Sequence, residues 1–107
     1  MDRVYMNELV VELRTALRLD DWYVGLEESD DPAVLTGWVK FDRENRRATI
    51  IYNPETVTSH TIRHEMVHIL LHDMSFLASN GRSVEMMEAI NMYEERICNV
   101  LAEVLTG

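Results

Sequence analysis

One cysteine, two prolines and four glycines among 107 residues exclude several classes of protein at once. With Cys98 alone there is no internal disulfide framework and no Cys-rich zinc cage, so any metal must be held by histidine and carboxylate, and a reducing compartment suits the chain. The scarcity of Pro and Gly excludes a fibrous repeat. With 47% hydrophobic and 27% charged residues, the composition is that of a folded globule and not of a disordered chain. Basic residues are also few. Ten Lys and Arg against nineteen Asp and Glu give a formal net charge of -9, which argues against a nucleic-acid backbone or an anionic membrane surface as partner. No stretch approaches membrane-spanning length, and the N-terminal "MDRVYMNELVVELRTALRLDD" is charged throughout where a signal peptide would be apolar. These features predict a single cytoplasmic domain over residues 1–107, with one hydrophobic core.

What is present is a change of periodicity along the chain. Met6, Leu9, Val10, Leu13, Ala16 and Leu17 recur at helical spacing and predict an amphipathic helix over residues 3–18. From Trp22 to Asn53 short runs rich in Val, Ile, Trp, Tyr and Thr are broken at "ESDDP" and "DRENRR", predicting three strands in a meander at about 23–27, 34–41 and 47–52, the last two as a hairpin. Asn53-Pro54 fits the start of the next helix, because proline is tolerated in a first turn. "ASNGRS" reads as a loop with Ser83 as N-cap, and Met87, Ile90, Ile97, Leu101 and Val104 form the stripe of a last helix. The fold class expected is α+β: an N-terminal helix, a small three-stranded antiparallel or mixed sheet, then two helices.

The chemistry concentrates in "HEMVHILLH", His64 to His72. Side chains four apart lie one above the other on a helix, so His64 and His68 can hold one ion between them. Glu65 completes a His-Glu-x-x-His pattern in which the glutamate takes a proton from water activated by the metal. An ordinary core helix with two satisfied histidines would carry the same letters. Against that reading, Met66, Val67, Ile69 and Leu70 are expected to be buried, and polar groups sharing that environment without partners cost about one to several kcal/mol each. A bound Zn²⁺ removes that cost.

A third ligand is then required. His72 lies about 12 Å along the axis from His64, whereas zinc ligands sit about 2 Å from the ion. It is therefore expected to cap the helix, to bond to a ligand, or to face substrate. Glu94 is the first choice, because it falls in the apolar stripe between Ile90 and Ile97, near Asn91 and Cys98, where a lone carboxylate needs a cation. Glu95 points about 100° away and is the reserve. His60, four residues before His64, reads as an exposed histidine near a helix start. Cys98 reads as a small buried side chain, and Met66, Met86 and Met87 as core filler.

The pattern His64-Glu65-x-x-His68, followed by a glutamate about one helix later, resembles the gluzincin metallopeptidases. "TIRHEMVHILLH" resembles the active-site helix of the ImmA/IrrE family of mobile-element and phage peptidases, and the short length and element order are similar to the minigluzincins and small phage-encoded relatives. The resemblance spans about residues 47–105. It implies a zincin-like fold, zinc bound by His64, His68 and Glu94, and Glu65 as general base and acid. It implies further that the strand before the active helix, "RATIIY", is an edge along which an extended peptide substrate adds. "EERICN" departs from the family's usual Glu-Ala-x-x-Phe, so Glu94 and Glu95 both stay open.

Three protein ligands leave an open position, the arrangement of a catalytic site, and peptide hydrolysis is the expected activity. A second electrophilic group would come from Tyr93, His72 or Tyr52 by residue type. The rival from another class is a catalytically silent zincin-fold module that binds protein without cleaving it. A metal-free helix bundle is the third alternative.

Overall fold

The computed structural model describes residues 1–31, 33, 37–79 and 84–104, with the backbone alone for 73–79, 84–87, 89, 90, 93, 100, 103 and 104. Its elements run α1 (Arg3–Ala16), β1 (Tyr23–Glu28), β2 (Gly37–Asp42), β3 (Arg47–Tyr52), α2 (Ser59–Ser79) and α3 (Val84–Val104), an α+β chain. Asp2 caps α1 by accepting from the Val4 amide at 3.1 Å, and Met6, Leu9, Val10 and Leu13 form its buried face. The helix stops two residues short of the expected 18. Arg18 turns into the left-handed region, φ 55°, while the amides of Leu17 and Leu19 bond back to Leu13 and Arg14.

The sheet is mixed, with strand order β1-β3-β2. β2 and β3 form the expected antiparallel hairpin, Gly37 opposite Tyr52 and Asp42 opposite Arg47. The meander is not formed: β1 pairs with β3 in parallel, Tyr23 opposite Arg47 and Glu28 opposite Tyr52. β3 is therefore central and cannot be the free edge that the resemblance implied. The reason is legible in its burial, since Ala48, Ile50, Ile51 and Tyr52 are all buried, as a strand covered on both faces must be. β2, with alternating exposure, is one of the two outer strands. The expected start of this strand at residue 34 lies outside the described residues.

Pro54 does not open α2. Asn53 closes a turn instead, its carbonyl accepting from the amides of Thr56 and Val57 and its side chain from Glu55. The helix starts one turn later on a reciprocal cap, in which Thr58 Oγ1 accepts from the Thr61 amide and Thr61 Oγ1 from the Thr58 amide. Ile62, Met66 and Ile69 then pack into the core with Trp22, Ile50, Tyr52 and the buried face of α1. Leu70, expected inside, is on the outer side. Among the described residues α3 packs against α2 and no other element. Cys98 and Ala102 are buried there, whereas Ile97 of the expected stripe is exposed; the side chains of Met87, Ile90 and Val104, and Ser83 as a whole, lie outside the described residues.

Ile62 is fully buried where α2 meets the sheet. Ile62→Ala is expected to lower unfolding stability in urea by about 2–4 kcal/mol, and Val11→Ala on the exposed side of α1 by less than about 0.5 kcal/mol.

Candidate metal centre

Helical spacing on α2 does what it must: the Nε2 atoms of His64 and His68 lie 3.1 Å apart. α3 supplies the remaining groups. Glu95 sets one carboxylate oxygen 3.3 Å from His64 Nε2 and the other 2.8 Å from His68 Nε2. Glu94 addresses the other nitrogen of the same ring, with Oε1 2.8 Å from His68 Nδ1. The reserve choice, Glu95, therefore joins the two imidazoles on their shared side, and Glu94 stands on the far side beside Cys98, whose sulfur is within 4.8 Å of the Glu94 oxygen and the His68 nitrogen.

The donor set fits zinc. Ligand atoms about 2.0–2.1 Å from one tetrahedral ion are separated by about 3.3 Å; the two Nε2 atoms are 3.1 Å apart, and the two Glu95 oxygens lie 2.8 Å from His68 and 3.3 Å from His64. These three residues would hold the ion at the edge of a cleft of about 600 Å³. β2 forms one wall through Gly37, Trp38, Val39 and Phe41, and the start of α2 contributes Thr58 and His60. Glu65 lines the same cleft although it is only 6% exposed.

Comparison with family models, with curated proteins and with solved structures returns no match. The geometry of the site thus stands as the basis for its reading.

Several residues named from the sequence lie elsewhere. His72 stacks on Phe41, ring centroids 3.7 Å apart and 12° from parallel, and meets the edge of Trp22 at 5.7 Å; it belongs to an aromatic layer and is not among the ion-holding groups. Tyr52 is buried in the core, its hydroxyl accepting from Arg3 at 3.1 Å, and so does not serve as a donor in the cleft. The Tyr93 side chain lies outside the described residues. His60 is exposed as expected, and it lines the cleft. Asn99, one turn after Glu95, was not anticipated: it lines the cleft together with His64 and Glu95. The i, i+4 relation to Glu95 could have revealed it. No helix among the described residues is long and apolar enough to cross a membrane.

Burial, then the neighbouring His68, hold His64 below the usual imidazole range and favour its neutral ring. His68 behaves oppositely. Burial opposes its charge, but hydrogen bonds with Cys98 and Glu94 overcome that and push it up to about 11. Burial raises Glu65 to about 7, with His68 pulling it down and Glu95 pushing it up. A carboxyl whose folded pKa lies above its unfolded one contributes stability that is complete below about pH 4.5 and lost as pH rises through about 7. His68, raised from 6.5, likewise loses its contribution on the way up to about 11. The metal-free protein is thus expected to lose stability as pH rises from about 5 to 8, and Glu65→Gln to flatten the lower part of that slope by on the order of 2 kcal/mol. Urea midpoints measured against pH in the presence of a chelator test this; an unchanged slope in the variant would contradict it.

Proposed function

We propose that this chain is a minimal zinc metallopeptidase, with His64, His68 and Glu95 holding the ion and Glu65 moving the proton. The observation that carries the reading is the convergence of His64 Nε2, His68 Nε2 and the Glu95 carboxylate, beside a buried glutamate, at one wall of an open cleft. Zinc held there would supply a Lewis acid for a peptide carbonyl and would acidify water toward neutrality. Glu65 takes the proton of the attacking water and returns it to the leaving amine, from a position at the edge of the cleft. His60 is the cleft imidazole able to donate to the carbonyl oxygen.

The substrate class that suits this site is an extended peptide segment. β2 is an outer strand on the cleft, and Trp38, 46% exposed, offers it an apolar face. A cytoplasmic setting agrees with Cys98 as a free, buried thiol. The zincin-like fold is part of the same proposal. A second reading, a silent module that grips such a segment without cutting it, draws on the modest size of the cleft.

Metal analysis of untagged protein tests the ion: about one zinc per chain is expected for wild type and His72→Ala, and little for His64→Ala, His68→Ala or Glu95→Ala. Loss of zinc from His72→Ala to the same degree would contradict the ligand set. A quenched-fluorescence peptide library tests the chemistry. Glu65→Gln is expected to keep its zinc and to lose turnover by roughly 10²- to 10⁴-fold; zinc-loaded wild type that binds peptides and cleaves none would favour the module.

A further inference from the structure

Glu94 and Glu95 are neighbours in sequence, yet they reach opposite nitrogens of one imidazole, Nδ1 and Nε2 of His68. They also differ in setting. The Glu94 side chain is 15% exposed and the Glu95 side chain 55%, so the first lies inside the helix pair and the second at its surface. Cys98, one turn beyond Glu94 and fully buried, closes the inner side of the ring.

A neutral imidazole carries a single N–H, so a ring that gives its Nε2 lone pair to an ion must keep its proton on Nδ1. We propose that Glu94 is the positioning residue of the centre: its carboxylate accepts the Nδ1–H of His68, fixes that tautomer and ring plane, and so presents Nε2 to the ion. This rests on the metal-site reading above. The proton balance is simple. An ion held at Nε2 would displace any proton there to solvent, and the Nδ1 proton would stay in the bond to Glu94. Of the two rings, His68 is the one met by carboxylates at both nitrogens. As a ligand of an ion shared by His64 and His68, Glu94 would have to bring an oxygen around the ring to the Nε2 side, where Glu95 already stands within 3.3 Å of both nitrogens.

Three readouts on the full chain test this, with Zn²⁺ and Co²⁺ as probes. Chelator competition is expected to give a zinc affinity roughly 10- to 100-fold weaker in Glu94→Leu, with one ion per chain and an unchanged visible Co²⁺ spectrum. Glu94→Gln, whose amide oxygen still accepts, should recover most of the affinity. In metal-free protein a slowly exchanging His68 Nδ1–H proton should be seen by NMR in wild type and Glu94→Gln, and lost in Glu94→Leu, or in Glu94→Ala if the leucine variant does not fold. Unchanged affinity in Glu94→Leu would overturn the role. So would loss of all binding from that variant while Glu95→Gln still takes up one ion, since Glu94 would then be the ligand. If wild type binds no ion, the metallopeptidase reading fails by itself, and the Nδ1–H signal alone decides whether Glu94 orients His68.

Discussion

Two imidazoles stacked four residues apart on a half-buried helix face set the terms for the rest of the molecule. Their polar nitrogens cannot be left against apolar side chains, because an unpaired buried polar group costs about 1–3 kcal/mol. The partners come from α3: Glu95 on His64, and Glu94 and Glu95 on His68, with Cys98 beside that ring. Since α3 packs only on α2 among the described residues, seating that helix and assembling the donor set are one event. Whatever strengthens the donor set also holds the C-terminal helix.

The sheet serves the same site from the other side. Because β3 is central, β2 stands at the border of the sheet and forms a wall of the cleft. Gly37 lets this strand begin close to α2, since a Cβ there would meet the Ile51 carbonyl at 3.1 Å and Thr61 Cγ2 at 3.2 Å. Further along, Phe41 turns onto His72, which in turn meets Trp22, and the Arg46 guanidinium covers that indole at 4.0 Å. His72 thus anchors the wall of the cleft while His64 and His68 face the donor groups of α3.

How far the sequence discloses this differs between levels. The helix over 3–16, the β2–β3 hairpin and the His64, Glu65, His68 constellation follow from local periodicity, which short-range geometry obeys. The parallel pairing of β1 with β3 is a long-range choice that local pattern does not encode; only the unbroken apolar run of "ATIIY" hints at a strand covered on both faces. The ordering of Glu94 and Glu95 escaped for a related reason. An apolar stripe indicates which residue is more buried, and Glu94 is indeed the more buried of the two, but burial does not tell which nitrogen of a facing ring a carboxylate meets. The aromatic role of His72 depends on Trp22 and Phe41, distant in sequence and joined only by the fold.

Charge gives the donor set its last constraint. Three carboxylates, Glu65, Glu94 and Glu95, converge on two imidazoles, one of which resists protonation because of burial and its charged neighbour. The carboxyl groups of the cluster outnumber its imidazoles, three to two, in a chain already at -9. A protonated His68 relieves part of that imbalance but occupies the Nε2 lone pair. A dication held by His64, His68 and Glu95, as proposed above, would offset that charge and leave the Nδ1 proton of His68 where Glu94 can hold it.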